Sequence, residues 1–211
     1  MNSRKYALVF AIIAVTALIF GRSPSSFAQT QQPSDWCSGK DNATPDVQIS
    51  RCTALIKTGK YTGKQLADFF FTRGVAHAKK GDQDRAMSDY NEAIRITPNF
   101  PNALINVGLI YCRKGDDDLS VQSIKRAIEL TPDNAGGHLQ LASVYYKKGD
   151  YHNAIASYNA FLKLQRDHAV GLYGRGMAKQ KLGDTSADVD TTAAKALNPN
   201  VGSLWMRYCV K

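Results

Sequence analysis

Residues 74–98, with the sequence GVAHAKKGDQDRAMSDYNEAIRITP, contain a pattern that recurs three more times along the chain. The Gly-Asp pair in this stretch returns at a constant spacing of 34 residues, at 81–82, 115–116, 149–150 and 183–184. The glycine that opens the stretch returns in the same register as a small residue, at Gly74, Gly108, Ala142 and Gly176. A constant period of this length indicates an array of similar units that stack on one another.

Each unit is predicted to form two helices. Across residues 66–80, apolar side chains recur every three to four positions, which is the spacing of one helix face. Gly81 can adopt the left-handed conformation that ends a helix, and Asp82 can cap the next one. The second helix ends before Pro98, because proline cannot continue the helical hydrogen-bond ladder. One such unit cannot bury its apolar stripe alone, so neighbouring units must stack.

This pattern closely resembles the tetratricopeptide repeat (TPR) family, whose units place a small residue in the first helix, alanine and an aromatic residue in the second, and a terminal proline. The first repeat matches at Gly74, Ala86, Tyr90, Ala93 and Pro98. The second repeat departs from the pattern with Ser120 and Ile124, the third lacks the proline, and the fourth is one residue short. The resemblance implies an all-α fold, a right-handed α-solenoid of about four helix pairs with an N-terminal capping helix and a short C-terminal helix.

The predicted organisation follows from the repeat boundaries. Thr44-Pro45-Asp46 predicts a helix start in the N-terminal cap, and residues 200–208 predict a short closing helix, since the ends of an array need covering. The predicted segments are a signal peptide at 1–28, a cap region at 29–66, an array at 67–201 (repeats 67–100, 101–134, 135–168 and 169–201) and a C-terminal cap at 202–211.

Residues 1–28 are predicted to be an export signal. Arg4 and Lys5 precede an uncharged apolar run at 7–20, and Ser26-Phe27-Ala28 forms a cleavage site before Gln29. The alternative is an uncleaved anchor, although the run of 14 residues is shorter than the roughly 20 that span a bilayer. We expect a periplasmic protein, with secretion as the alternative, and no stable membrane insertion after cleavage.

Composition narrows the class of protein. With 44% hydrophobic and 21% charged residues, the chain has enough apolar side chains for a core, which excludes intrinsic disorder. The formal charge is +9, and Arg4, Lys5 and Arg22 in the predicted signal supply three of these charges. The remaining +6 is too mild for a dedicated nucleic-acid binder, and no nucleic-acid partner is expected.

The four cysteines are predicted to behave differently. Cys37 and Cys52 both lie in the cap, where a disulfide would close a loop of about 15 residues and contribute roughly 3 kcal/mol. Cys112 and Cys209 lie two repeats apart. Because stacked helix axes are about 8–10 Å apart and a disulfide needs Cα atoms within roughly 7 Å, we expect these two cysteines to be unpaired.

No enzyme, cofactor or metal site is predicted. The four histidines share no metal-binding spacing, and a phosphate-binding glycine loop and a serine elbow are both absent from the sequence. The acidic run 116–118 follows a turn glycine, so we interpret it as the start of a helix. A calcium site is the alternative, but the Asp-x-Asp-x-Asp-Gly spacing is missing.

One row of basic residues recurs at a single repeat position, and we call it the basic rim: Lys79, Arg113, Lys147 and Lys181. These side chains would complement the negative C-terminal ends of four helices. Alternatively, they would form a ridge that attracts acidic partners or anionic surfaces. Aromatic residues are not interleaved with the row, which argues against binding of single-stranded nucleic acid.

The resemblance implies that a ligand peptide lies in a concave groove formed by the first helices. By repeat position, the lining would be Phe71, Asn102, Ile105, Asn106, Leu109, Leu139, Gln140, Tyr146, Tyr173 and Met177. Asn106 matches a position that some members use to hold a peptide carboxylate, but Phe71 and Val75 stand where Lys and Asn would be needed. The groove is therefore apolar and suits a helix or an extended apolar peptide. Alternatively, some of these residues belong to the core between repeats.

These patterns favour a non-enzymatic, exported TPR adaptor that binds a protein or peptide in its groove. The alternative is an envelope structural or assembly protein that acts through the basic rim or by self-association. The sequence leaves open the identity of the partner, the biological process and the oligomeric state.

Overall fold

The computed structural model describes residues 37, 39 and 42–210, so the predicted export signal lies outside the described residues. The described part is all-helical, as predicted, and contains ten helices and no strand. In chain order they are α1 (Pro45–Lys57), α2 (Gly63–Lys79), α3 (Gln83–Ile96), α4 (Pro101–Lys114), α5 (Asp117–Leu130), α6 (Ala135–Lys147), α7 (Tyr151–Leu164), α8 (Ala169–Lys181), α9 (Ala187–Leu197) and α10 (Val201–Trp205).

Four helix pairs form the array: α2 with α3, α4 with α5, α6 with α7, and α8 with α9. The turn in the first pair has the predicted geometry. Gly81 has a φ of +84°, and the carboxylate of Asp82 accepts a hydrogen bond from the Arg85 amide at 3.1 Å. Gly74 allows the two helices to approach closely, because a Cβ atom there would lie 2.7 Å from the Tyr90 ring. The recurring small residue is therefore explained by helix packing.

The two end repeats have an ion pair between their helices, at two positions that are uncharged in the two central repeats. In the first repeat, the Arg73 guanidinium donates to both oxygens of the buried Asp89 carboxylate, at 2.9 and 2.7 Å. The fourth repeat has the equivalent pair Arg175–Asp190. The corresponding residues of the central repeats are uncharged: Val107 with Ser123, and Leu141 with Ser157. An ion pair thus links the helices of each end repeat, where the array meets its caps.

In the described part of the N-terminal cap, helix α1 packs on α2. Helix α1 begins where the sequence predicts. The Thr44 hydroxyl accepts a hydrogen bond from the Val47 amide, and Pro45 occupies the first turn. Cys37 and Cys52 form a disulfide with Cα atoms 4.9 Å apart, the same pair that the sequence favours. Both sulfurs lie against the buried Phe69, so the cap covers the open end of the first repeat.

The C-terminal end differs from the prediction in two ways. The closing helix spans only Val201–Trp205, which is shorter than the predicted 200–208. Cys112 and Cys209 form a disulfide with Cα atoms 6.3 Å apart, so the prediction that they are unpaired is wrong. That prediction assumed that Cys209 stays in the layer beyond α9. Instead, residues 201–210 return across the first helices of the array towards α4, and we call this segment the C-terminal strap.

Candidate functional site

The predicted groove is divided into two halves in the structure. The half nearer the N-terminus, which we call the open half, lies between α2, α4 and the start of α6. It contains a depression of about 270 Å³. Six of the predicted lining residues meet there, together with Asn134 and Gly136: Phe71, Asn102, Ile105, Asn106, Leu109 and Gln140. Residues from three successive repeats therefore share one surface.

The open half combines apolar side chains with amide groups. Phe71, Ile105 and Leu109 are partly exposed, so each presents apolar surface to the depression. The Gln140 Oε1 atom is buried and accepts no hydrogen bond within the described part of the chain. A buried polar atom without a partner costs free energy, which favours turning of the Gln140 side chain towards a peptide N–H group bound in the depression. The surface thus offers hydrogen bonds to a backbone and contacts to apolar side chains.

The other half of the groove is covered by the C-terminal strap. The Trp205 ring makes edge-to-face contacts with Tyr146 and Tyr173, at centroid distances of 4.8 and 5.5 Å. Leu139 is buried in the same cluster, and Met177 packs against it. The remaining four predicted groove residues, Leu139, Tyr146, Tyr173 and Met177, therefore contact the chain's own strap or core. The alternative that some lining positions belong to the core holds for Leu139.

The strap is deeply seated, which no pattern in the sequence indicates. Trp205 is only 5% exposed, and its indole N–H donates to the Tyr158 hydroxyl at 3.0 Å. Burial raises the pKa of Tyr158 to about 12, and burial also raises the pKa of Tyr146 and Tyr208. The raised pKa values show that the packed aromatic cluster disfavours the charged form of these phenols.

A larger cavity of about 790 Å³ lies between the strap and the groove. Leu109 and Gln140 line both this cavity and the depression of the open half, so the two spaces adjoin. Both cysteines of the second disulfide lie in its wall. The remaining lining is Arg113, Lys147, Asp167, His168, Ala169, Val170, Asn198, Leu204, Arg207 and Tyr208.

Two of the four residues of the basic rim, Arg113 and Lys147, contact the preceding repeat. The Lys147 ammonium donates to the Cys112 carbonyl at 2.7 Å and pairs with Asp117 at 2.9 Å. Arg113 donates to the Gln83 side chain at 3.2 Å. Lys79 and Lys181 are exposed, and no described residue forms an ion pair with either. The neighbouring lysines are also paired with the preceding repeat: Lys114 with Asp84 and Lys148 with Asp118. This pairing argues against a continuous, free basic ridge.

The described residues contain no cluster of three or more His, Cys, Asp and Glu side chains suited to a metal ion. Two of the histidines have structural contacts. His138 contacts the Pro132 carbonyl at 2.8 Å, and His168 caps α8 by accepting from the Gly171 amide. Over the same part of the chain, every helix is too short or too polar to cross a membrane.

Comparison with known structures shows the same fold. The chain superimposes on a crystal structure of the MamA protein with a TM-score of 0.67 and 15% identity, over 81% of this chain and 92% of MamA. It also superimposes on YrrB, a TPR protein described as having an unusual peptide-binding site, with a TM-score of 0.64 and 14% identity. That match covers 82% of this chain and 87% of YrrB.

Sequence comparison agrees with the fold. A stretch of 37 residues is 40% identical to the photosystem I assembly protein Ycf3 of Rippkaea orientalis, and it spans about a fifth (21%) of that protein. A TPR repeat model matches residues 74–115 and 108–149, and a tetratricopeptide repeat model matches residues 135–168. Residues 74–168 of this chain therefore consist of tetratricopeptide repeats.

Proposed function

We propose that this protein is an exported, non-enzymatic adaptor that binds a segment of another protein in the open half of its concave groove. The TPR scaffold supports a role in protein interaction in general. The observation that carries the finer proposal is the depression between α2, α4 and α6, where apolar side chains surround amide groups. YrrB, which shares the fold, is described as binding peptides, and this supports the same class of ligand here.

The ligand that suits this surface is an extended peptide with apolar side chains. Phe71, Ile105 and Leu109 offer contacts to such side chains, and Asn102 is exposed and free to bond a peptide backbone. Gln140 lines the depression, and its side-chain amide would bond the peptide backbone after turning towards it. Main-chain hydrogen bonds would give affinity, and the apolar contacts would give specificity.

The test uses peptides selected from a displayed random library on the purified chain. We expect Ile105→Ala and Gln140→Leu to weaken binding of a selected peptide by about tenfold each, because each removes one contact of about 1–2 kcal/mol. Val189→Ala is the matched control, since Val189 is 69% exposed on a second helix outside the groove. Equal affinity for all three variants and the unmodified chain would overturn the proposal.

Export is tested separately. When the full chain is expressed in a Gram-negative host, we expect a periplasmic protein whose first residue is Gln29. An intact mass that starts at Met1, recovered with the membrane fraction, would instead support the uncleaved anchor.

A further inference from the structure

We propose that the C-terminal strap is a redox-controlled cover for the second half of the groove. The Cys112–Cys209 disulfide locks the strap in place, and reduction of this disulfide allows a peptide with an aromatic side chain to replace Trp205. The release of the strap stands independently of the proposed function, whereas the replacement by a peptide rests on it.

The strap packs on the core cluster of the third and fourth repeats through five side chains: Val201, Leu204, Trp205, Tyr208 and Val210. Its helix, α10, has five residues, which is far too short to be stable in isolation. Trp205 supplies its main anchor, through two ring contacts and one hydrogen bond to Tyr158. Beyond Trp205, only Tyr208 and Val210 pack against the core cluster of the third and fourth repeats. The covalent bond to α4 therefore holds the end of the strap against the array.

The two disulfides differ in their access to solvent. Cys37 and Cys52 are both buried in the N-terminal cap. Cys209 is only partly buried, and it lies with Cys112 in the wall of the 790 Å³ cavity beneath the strap. A small dithiol can enter a space of that size. Thiol–disulfide exchange requires direct access of the attacking sulfur, so the Cys112–Cys209 bond should react first.

The chemical step is ordinary exchange with a dithiol reductant. One thiolate of the reductant attacks the Cys209 sulfur and forms a mixed disulfide, while Cys112 leaves as a thiolate and takes a proton from solvent. The second thiol of the reductant then attacks the mixed disulfide and releases Cys209. Two electrons pass from the reductant to the protein, so that the protein gains two thiols and the reductant becomes a cyclic disulfide.

Reduction changes the length of the available groove. The cavity beneath the strap adjoins the open half at Leu109 and Gln140. When the strap moves away, Tyr146 and Tyr173 lose their contact with Trp205 and present an aromatic seat on α6 and α8. Tyr146 lies on the same helix as Gln140. A peptide bound in the open half can then extend into this seat and place an aromatic side chain where Trp205 lay. The oxidised protein holds only the shorter peptide.

The first experiment follows thiols and amide hydrogen exchange while the purified chain is titrated with dithiothreitol. We expect alkylation of Cys112 and Cys209 before Cys37 and Cys52, and exchange of residues 203–210 faster by at least about tenfold once the first pair is reduced. Residues 86–93 in α3 serve as the internal control and should keep their exchange rate. Simultaneous reduction of both disulfides, or unchanged exchange at 203–210 with both thiols alkylated, would overturn the proposal.

The second experiment uses the double variant Cys112→Ser/Cys209→Ser, which has no bond to reduce. It should show fast amide hydrogen exchange at 203–210 without reductant. If the variant does not fold, the reduced wild-type chain is used in its place. A library-selected peptide and a version extended by an aromatic residue are then compared. We expect the extension to improve affinity about tenfold only for the reduced or variant protein. Fast exchange without that improvement refutes the peptide replacement, and loss of binding by both peptides refutes the proposed function instead.

Discussion

Substitution of Trp205 by alanine tests how strongly the strap is coupled to the array. The indole is 5% exposed and belongs to the same buried cluster as Tyr158, Phe161 and Val201. Truncation of a buried aromatic side chain to alanine costs about 3–5 kcal/mol, because it removes apolar contacts and leaves a cavity. We therefore expect the free energy of unfolding of Trp205→Ala to fall by that amount.

Two further variants separate the effect of the buried ring from that of its hydrogen bond to Tyr158 and from that of an exposed strap residue. Trp205→Phe keeps an aromatic ring but loses the N–H group that bonds Tyr158, and it should cost about 1–2 kcal/mol. Met206→Ala changes the next residue, which is 41% exposed, and it should cost less than about 0.5 kcal/mol. Urea denaturation followed by circular dichroism at 222 nm measures all three. If Trp205→Ala and Met206→Ala have the same midpoint, the strap is not a cooperative part of the fold.

Three other predictions concern the array itself. Gly74→Ala should lower the free energy of unfolding by about 1–3 kcal/mol in urea denaturation, because its Cβ would lie 2.7 Å from the Tyr90 ring. Arg73→Leu should cost about 3–5 kcal/mol because it leaves the buried Asp89 carboxylate unpaired, and Arg73→Leu/Asp89→Ser, which copies the third repeat, should recover most of that loss. Although burial opposes ionisation, hydrogen bonds from two basic side chains hold the pKa of Asp190 below its ordinary value. Its contribution to stability should be full at neutral pH and decline as the pH falls below about 4, and Asp190→Asn should flatten that acid limb in a pH series.

Each of these predictions has a result that would contradict it. A Gly74→Ala variant as stable as the unmodified chain would mean that Tyr90 moves aside without cost. Failure of the Arg73→Leu/Asp89→Ser combination to recover stability would show that the end repeats need the ion pair itself. An unchanged acid limb in Asp190→Asn would assign the acid sensitivity to other carboxylates.

The local features of the fold were predictable because each repeat encodes them separately. The turn at Gly81-Asp82 and the close helix approach at Gly74 depend only on residues within one unit. The open half of the groove was also predictable, because repeat register alone places Phe71, Asn106 and Gln140 on the same surface. In a regular array, residues at equivalent positions of successive repeats lie in a row on the same surface.

The strap was not predictable, because it occurs once and its contacts are long-range. The cysteine prediction failed because it placed Cys209 in a fifth layer, whereas the strap turns back and brings it within 6.3 Å of the Cys112 Cα atom. The ion pairs of Lys147 and of the lysines beside the basic rim do have a signature in the sequence. Lys114, Lys147 and Lys148 each lie 30 residues after the aspartate that they contact. Such a spacing, slightly shorter than the repeat, marks contacts between adjacent repeats.

Side-chain amide signals measured by NMR report directly on whether a ligand binds in the open half. On addition of a library-selected peptide, the signals of Asn102, Asn106 and Gln140 should shift, and those of Asn91 and Asn159 on the second helices should not. Shifts at Asn91 and Asn159 with unchanged signals at the three groove amides would contradict the account.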